Sequence, residues 1–398
     1  MRLKDVCEFI VDCPHSTAKD EGQGYPLIRT PNIGKGRFNL EGVHRVSEDV
    51  YRKRNLRATP QDNDLIFARE APAGNVAIIK NGEKYCLGQR TVLIRPNCEY
   101  VYPDFLTYYL LAPQQQYGLL GMANGATVAH VNLPVIRELE ITLPPIEIQR
   151  RIANILSAYD DLIENNQKQI KLLEEAAQRL YKEWFVDLRF PGYENTKIVD
   201  GVPEGWKTLH ISDVCDTIGG GTPSTKVKEY YQDGNIPWVT PTDITKNNSL
   251  VLLGTATKIT NEGLNNSSAK MVPPGTILMT SRASVGFFGI CDFPVCTNQG
   301  FISCIPYQQN MQMYLLYNLL SRVDEIRGKA GGSTYLEISK KIFRDFEIIV
   351  PDTQLLNMFQ TTTEKSIELL RILSKQIIEL QEARDRLLPK LMSGELEV

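Results

Sequence analysis

The chain lacks most of the features that mark metalloproteins and membrane proteins. Its 398 residues include only four histidines, and its eight cysteines form no CxxC pair. A structural zinc site needs four converging ligands, so core thiols in a reducing compartment are the better interpretation. No apolar run reaches the roughly 18 residues of a membrane span, and the N-terminus has no apolar signal core. We therefore expect a cytoplasmic protein without membrane contact.

Catalytic motifs are also missing. The sequence contains no HExxH, no GxSxG, no GxGxxG after a strand, and no asparagine-proline-proline-aromatic tetrapeptide of the adenine methyltransferase kind. The glycine-rich stretch at 219–224 lacks the GxxxxGK[ST] pattern, so we expect a tight turn there instead of a nucleotide site. We expect no catalytic residue, no metal site and no cofactor in this chain.

Positive charge is not in excess. The 44 Lys and Arg residues are balanced by 47 Asp and Glu residues, for a net charge of −3. This argues against a protein that simply coats nucleic acid, because such domains are usually strongly basic. It leaves open a DNA-reading protein whose partner subunits supply further positive charge.

What the chain does contain is a long internal repeat. Residues 144–180 align without a gap with residues 351–387, at a constant offset of 207 (351 − 144). Identical pairs include Leu162/Leu369, Lys168/Lys375 and Arg179/Arg386. The period of 207 residues exceeds the repeat units of solenoid proteins. It is large enough for a whole domain followed by a helix.

The gap-free part of the repeat predicts two long helices, over residues 146–185 and 353–391. Apolar residues recur at steps of three and four, which is typical of a coiled-coil seam, with Asn166 as a polar position that sets the register. If the helices pair, they are antiparallel and form a rod of roughly 60 Å. The predicted seam residues are Ile148, Ile152, Ile155, Tyr159, Leu162, Ile170, Leu173, Ala177, Leu180 and Trp184 in the first helix, and Leu355, Phe359, Thr362, Leu369, Leu373, Ile377, Leu380, Leu387 and Leu391 in the second.

The segments before the two helices predict two mixed α/β domains of one fold, which we call heads. In the first head we expect strands at 65–67, 76–79, 91–94 and 140–143 and a helix at 102–111; the second repeats this with strands at 276–279 and 301–304 and a helix at 311–321. The fold class is therefore α/β (α+β) with a pseudo-two-fold internal repeat. The predicted domains are residues 1–143 and 191–350 for the heads, and 144–190 and 351–398 for the helices with their flanks.

The loops of both heads carry side chains suited to DNA. Arginine can bridge two acceptors of guanine, glutamine and asparagine match adenine, and lysine and arginine also hold phosphates. For any single residue, a solvated surface role is the competing interpretation. The candidate DNA contacts are Arg29, Thr30, Asn32, Lys35, Arg37, Arg52, Lys53, Arg54, Arg69, Gln89, Arg90, Thr127 and His130 in the first head, and Thr240, Thr242, Asp243, Lys246, Ser281, Arg282, Gln299, Thr334 and Tyr335 in the second.

Several separate motifs resemble the specificity subunits of type I restriction–modification systems. They are the junction EWFVDLRFPG at 183–192, the stretch GVPEGW at 201–206 followed by GTPS at 221–224, the helix start at 143–152 and the tail LLPKLMSGE at 387–395. The resemblance covers the whole chain in the order head, helix, head, helix.

The resemblance implies a DNA-recognition subunit that is not itself an enzyme. Each head would read about three to five base pairs of double-stranded DNA, and the helices would set the unread spacer. Two methyltransferase subunits carrying S-adenosylmethionine would dock on the chain and flip an adenine from each half-site, as base-modifying enzymes must. Restriction subunits using ATP and magnesium would cut unmethylated DNA. From the residues alone, a scaffold that binds glycans or proteins stays open as the competing class, with an enzyme third.

Overall fold

The chain folds into two compact units in a computed structural model that describes residues 1–80, 82–121, 129–332 and 334–398. The first unit combines Met1–Glu164 with Glu379–Val398, and the second is Asn165–Ile378. The boundaries between the units fall inside the two long helices. The domain boundaries drawn from the sequence, at the ends of those helices, stay a prediction.

The first unit contains seven strands and four complete helices among its described residues, and part of both long helices. In chain order these are β1 (Cys7–Asp12), β2 (Tyr25–Ile28), β3 (His44–Val46), α1 (Glu48–Arg54), β4 (Leu65–Ala68), β5 (Val76–Ile78), β6 (Cys86–Leu87), β7 (Thr91–Pro96), α2 (Pro103–Leu111), α3 (Pro113–Gly121), α4 (Leu133–Arg137) and the start of α5 (Ile146–Tyr181).

The second unit repeats this order with additional short elements. After a π-helical turn at Lys182–Val186 come β8 (Ile198–Val199), β9 (Val202–Pro203), β10 (Lys207–His210), α6 (Ile211–Val214), β11 (Cys215–Gly219), β12 (Ile236–Val239), α7 (Pro241–Thr245), β13 (Thr257–Ile259), α8 (Asn261–Asn265), β14 (Ile277–Thr280), β15 (Phe288–Ile290), β16 (Cys296–Thr297), β17 (Phe301–Pro306), α9 (Gln312–Ser321), α10 (Val323–Gly328), α11 (Lys340–Arg344), β18 (Glu347–Val350) and α12 (Thr353–Ser393), which returns to the first unit.

Sheet topology confirms that the two heads share one fold. Each unit has a four-stranded antiparallel sheet, in the order β1-β7-β4-β5 and β11-β17-β14-β15. Each also has a three-stranded sheet, β3-β2-β6 and β13-β12-β16, with one antiparallel and one parallel pair. The repeat seen in the sequence is therefore a repeat of the whole fold, including its strand order.

The central strands are apolar throughout because both faces of the four-stranded sheet are covered. Along β4, Leu65 and Phe67 join the cluster under the helices, whereas Ile66 and Ala68 join a second cluster on the opposite face. Successive side chains of a strand point to opposite faces, so a strand buried on both sides loses its polar alternation. The cysteines follow the same rule: six of the eight are buried, and burial raises the pKa of the Cys86 and Cys291 thiols to about 11.

Both long helices are present, and both contribute to the core of each unit. In the first unit, Ile152 and Leu156 of α5 and Leu391 of α12 belong to one cluster with α2 and the sheet. In the second unit, Ala177 of α5 and Phe359 of α12 do the same with α9. The helices therefore help to build each unit as well as connecting the two.

The predicted seam of α5 is correct at Ile152, which is buried, but wrong by one residue at 155 and 162. Ile155 and Leu162 are 36% and 51% exposed, whereas Leu156 and Ile163 are buried. The buried stripe passes through Asp160 in α5, whose carboxylate is 2% exposed, and through Thr363 in α12, which is 1% exposed. A polar residue at a core position hides the stripe from a search for apolar periodicity.

The same shift occurs in α12, at the positions related by the offset of 207. Thr362 is exposed and Leu369 is 39% exposed, whereas Thr363 and Leu370 are buried. Farther along α5 the prediction is better, since Asn166, Ile170 and Ala177 are all buried. Asn166 donates to Gln376 of α12 at 3.1 Å, which gives this polar residue a partner inside the second unit.

The strand predicted at 140–143 is also wrong. That segment forms only an isolated bridge, between Arg2 and Glu140, together with a hydrogen bond from the Ile141 N–H to the Met1 carbonyl. Its counterpart β18 pairs over four residues with β10. A strand needs a partner ladder, and among the described residues only Met1 and Arg2 form backbone pairs with residues 140–141.

The one-residue shift can be tested with neighbouring pairs of leucine and isoleucine. Replacing Ile163 or Leu370 by alanine should destabilise the chain by about 2–5 kcal/mol, because each leaves a cavity in a packed core. Replacing the exposed neighbours Leu162 or Leu369 by alanine should change stability by no more than about 0.5 kcal/mol. Thermal melting of the four variants measures the difference. Equal effects within each pair would contradict the observed burial.

Candidate nucleic-acid interface

Four segments of the first unit meet where β4 ends and β7 begins. The Arg69 N–H donates to the Arg90 carbonyl at 3.0 Å, and the Val131 N–H donates to the Arg69 carbonyl at 3.0 Å. The Cys13 N–H donates to the Thr91 carbonyl at 3.1 Å. These bonds hold together residues 12–17, 69–71, 88–91 and 129–131, which we call the first edge cluster.

An ionic network occupies the first edge cluster. Arg69 Nη1 contacts both carboxylate oxygens of Asp12, at 2.8 and 3.0 Å, and its Nε donates to the Val131 carbonyl. Arg69 Nη2 lies 2.7 Å from His130 Nε2, and His130 Nδ1 lies 2.5 Å from Glu70. An arginine can donate only to an unprotonated ring nitrogen, so this geometry fits the tautomer of His130 with its proton on Nδ1, donated to Glu70.

Arg90 is the solvent-exposed member of this network. Its Nη1 lies 2.8 Å from the second carboxylate oxygen of Glu70, and its side chain is 56% exposed. Arg90 has a φ of +65°, so its backbone takes the left-handed conformation at the turn into β7. The network thus ends in an exposed guanidinium at the edge of the sheet, where a phosphate or a base can approach it.

The second unit repeats two of these backbone bonds. The Ser281 N–H donates to the Gly300 carbonyl at 2.7 Å and the Ile338 N–H to the Ser281 carbonyl at 3.0 Å, at the positions of the Arg69–Arg90 and Val131–Arg69 bonds. The third differs, since the Gly221 N–H donates to the Thr297 carbonyl at 2.9 Å. We call residues 220–222, 281–283, 297–301 and 334–338 the second edge cluster. Ala71 and Ala283, one in each cluster, both have positive φ values, of 36° and 60°.

The side chains on the two shared frameworks differ in charge. Glu70 paired with His130 in the first cluster is replaced by Arg282 paired with Glu337 in the second, at 3.6 Å. The buried Arg69 becomes the buried Ser281. The acid and the base have therefore changed places across the same contact, so the two clusters present different donors and acceptors.

One residue type is kept in both clusters. Gln89 accepts from the Thr17 hydroxyl at 3.1 Å, and Gln299 accepts from the Thr222 hydroxyl. An amide oxygen has two lone pairs and an amide nitrogen two hydrogens, so each glutamine keeps the capacity for a further acceptor and donor pair. That pair is what adenine matches in the major groove.

Close backbone contacts at both clusters require glycine. A Cβ on Gly88 would lie 2.3 Å from the Ile28 carbonyl oxygen, and a Cβ on Gly220 would lie 1.9 Å from the Asn298 carbonyl oxygen. The glycine-rich stretch thus allows close packing of the chain after β11, and the turn expected at 219–224 lies just beyond it, at 225–226.

The predicted contact residues fall into three groups by exposure. Direct DNA contact by any of them stays a prediction, and for the buried ones it would require the local packing to open. Thr30, Asn32, Arg54, Arg69 and Ser281 are buried; Arg29, Arg37, Gln89, His130, Thr240 and Asp243 are half-buried; Lys35, Arg52, Lys53, Arg90, Thr242, Lys246, Arg282, Gln299, Thr334 and Tyr335 are exposed; Thr127 lies outside the described residues.

Several of these side chains are engaged within the protein. Arg54 donates to the carbonyls of Leu87 and Ser16, both at 2.8 Å, and Asn32 donates to the Asn39 carbonyl. Arg52 pairs with Glu48 on the same helix. Asp243 accepts from the backbone and hydroxyl of Thr240, which caps α7. Arg69, Gln89, Arg90 and His130 come together in the first edge cluster, and Ser281, Arg282, Gln299 and Tyr335 lie on segments of the second.

The DNA contacts predicted from the sequence do not include the acidic residues that pair with the arginines of the two clusters. Asp12, Glu70 and Glu337 orient Arg69, Arg90 and Arg282. The position of Glu70 beside Arg69, directly after a strand, was the available signal. Among the described residues, no group of three or more His, Cys, Asp or Glu side chains could hold a metal ion.

Comparisons with known proteins agree on one family. The profile of the type I restriction modification DNA specificity domain matches residues 1–175 and again residues 203–382. The chain is 29% identical over 419 residues to the type I restriction enzyme MjaIX specificity subunit of Methanocaldococcus jannaschii, covering 100% of this chain and 93% of that protein. It is 26% identical over 399 residues to the HindI specificity subunit of Haemophilus influenzae, covering 84% and 86%. The crystal structure of a type I restriction–modification S subunit from M. genitalium has the same fold, with a TM-score of 0.59 at 16% identity over 98% of this chain and 95% of that one.

The close approach at Gly220 can be tested against its neighbour. Gly220→Ala should lower the thermal midpoint of the chain, because its Cβ collides with backbone oxygens and overpacking costs about 1–3 kcal/mol. Gly219→Ala is the matched control, since nothing lies within 4 Å of its Cβ. Equal melting of the two variants would contradict the packing described here.

Proposed function

The chain belongs to the type I restriction modification DNA specificity family, and from this premise we propose that each unit reads one half of an asymmetric, bipartite DNA site through its edge cluster. The carrying observation is that the two clusters share backbone bonds and differ in charge. A shared framework keeps both units compatible with DNA, whereas different donors and acceptors select different bases.

The site is proposed to be asymmetric because the two readers lie in one chain. A homodimer with two identical reading surfaces favours a palindromic site. Here the half-buried Gln89 and the exposed Arg90 would face one target, while the exposed Arg282 and Gln299 would face the other. Under this proposal the two half-sites have different sequences, and the long helices set the length of unread DNA between them.

Methyltransferase and restriction subunits are the proposed partners. Phosphate contacts dominate DNA affinity. In this chain, acidic residues outnumber lysine and arginine, for a net charge of −3, so it has no excess of positive charge for such contacts. Partner subunits would supply the missing contacts, together with S-adenosylmethionine for methylation and ATP with magnesium for cleavage. In this proposal the chain catalyses no step and selects the sequence on which its partners act.

Among the described residues, no helix has the length and apolar character of a membrane span.

The two glutamines shared by the edge clusters allow a paired test. In complex with the methyltransferase partners, Gln89→Ala should relax base preference in one half-site by roughly 5- to 150-fold, the range of about 1–3 kcal/mol for one lost bidentate contact. Gln299→Ala should do the same in the other half-site only. Binding to DNA libraries randomised in each half measures both effects. Variants that relax the same half, or neither, would contradict the assignment of one unit to one half-site.

The spacer role makes a separate prediction. Removing one heptad from α5 together with the matching heptad from α12, at positions 207 residues apart, should change the number of unread base pairs and leave both half-sites as they are. Sequencing of the adenines methylated by the assembled complex reports spacer and half-sites together. A changed half-site sequence at an unchanged spacer length would contradict this role for the helices.

A further inference from the structure

A short segment of the first unit connects the first edge cluster to the long helix α5. We call residues 29–38 the tether. At one end, the Gly88 N–H donates to the Ile28 carbonyl at 2.8 Å, which places Arg29 beside residues 88–90. At the other end, Arg37 Nη2 lies 2.8 Å from Asp161 and Arg37 Nε lies 3.3 Å from Glu164. Arg37, a predicted DNA contact, thus binds the helix.

The tether is clamped between the edge of the sheet and α5. The Gly36 N–H donates to the Val76 carbonyl of β5 at 2.8 Å. A Cβ on Gly36 would lie 2.9 Å from Asp160 Oδ2, and the φ of Gly36 is +90°. Both the space and the backbone conformation therefore call for glycine where the tether crosses the helix.

Asp160 is the centre of this contact. Its carboxylate is 2% exposed and accepts from the Tyr108 hydroxyl at 2.6 Å and from Arg384 of α12 at 2.5 Å. Burial, and then the charge of Asp160, raise the pKa of Tyr108 well above its ordinary value, so the hydroxyl stays a donor. Asp160 thereby joins α2 and both long helices beneath the tether.

The second unit shows that the fold does not need this charge. The offset of 207 relates Asp160 to Ile367 and Arg384 to Ala177, and both counterparts are buried in the apolar core. Tyr317, at the position of Tyr108 before a Leu-Leu pair, has a buried hydroxyl without a hydrogen-bond partner. The segment after α7 is held to α5 by a bond from the Leu250 N–H to Glu174.

Burying an ion pair is a weak way to gain stability. Charges lose their hydration on burial, and well-packed apolar residues in the same place are often equally stable or more so. What such a pair does provide is geometry, because a carboxylate with fixed donors tolerates few alternative arrangements. The first unit has the Asp160–Arg384 ion pair where the second unit has the apolar Ile367 and Ala177. We infer that the ion pair provides a fixed geometry that apolar packing does not.

We propose that Asp160 and Arg384 are positioning residues that, through Arg37 and the tether, fix the angle at which the first edge cluster meets DNA. Neither side chain needs to touch a base. The inference rests on the proposed function, since it specifies how one of the two reading surfaces is oriented. It also predicts an asymmetry between the units, because only the first depends on an ionic contact at these positions.

The test compares Arg384→Ala with Arg386→Ala in the complex with methyltransferase partners. Arg386 is the matched control: it lies on the same helix, is 80% exposed and pairs only with Glu382 among the ion pairs observed. Binding is measured on DNA with base changes in either half-site. Arg384→Ala should reduce discrimination in the half-site relaxed by Gln89→Ala by roughly tenfold, within the range of a misplaced base contact, and leave the other half intact. Arg386→Ala should match wild type.

A second variant separates a loss of positioning from a loss of folding. Asp160→Ile with Arg384→Ala copies the apolar pair of the second unit, so it should fold with a melting temperature near that of wild type yet show the same one-sided loss. Full discrimination in both halves for Arg384→Ala and the double variant would overturn the inference. Parallel loss in both halves would also overturn it, since that marks a general structural role. A wild-type complex without sequence preference would refute the proposed function itself.

Discussion

The structure depends on one constraint, which is that each four-stranded sheet must be covered on both faces. The heads cannot supply this cover alone. In the first unit, Leu156 of α5 and Leu391 of α12 complete the cluster under β4 and β7; in the second, Ala177 and Phe359 do so under β14 and β17. Burial of apolar area is the main favourable term in folding, so neither unit is complete without both helices.

The proposed recognition would use what this cover leaves exposed. The helices occupy one face of each sheet, and the ends of β4 and β14 stay available at the edge clusters. Short loops fixed by backbone bonds from both sides hold Arg90 and Arg282 there. A rigid scaffold with exchangeable side chains at one edge suits a protein that must change its target without changing its fold.

Much of this arrangement could be predicted from the sequence, and the failures have a common cause. The repeat, the long helices and the central strands follow from apolar periodicity, which local sequence carries directly. The seam prediction failed beside Asp160 and Thr363, which are polar residues buried by distant parts of the chain, and the strand prediction failed at 140–143 because a strand needs a neighbouring strand. The contact residues show the same limit: arginine at position 37 has the same chemistry whether it faces a phosphate or Asp161, and only the fold decides between them.

The route of α12 also sets an order of events during synthesis. The first head, its helix segment and Asp160 leave the ribosome first, whereas Arg384 is made 224 residues after Asp160 (384 − 160). At about 5–20 residues per second, the gap lasts on the order of ten to forty seconds. Throughout that time the carboxylate of Asp160 has no arginine from α12, and the apolar face under the first sheet is incomplete. The N-terminal core of a nascent chain therefore stays exposed until residues 379–398 of α12 are made, whereas the second unit has all of its residues once Ile378 is made.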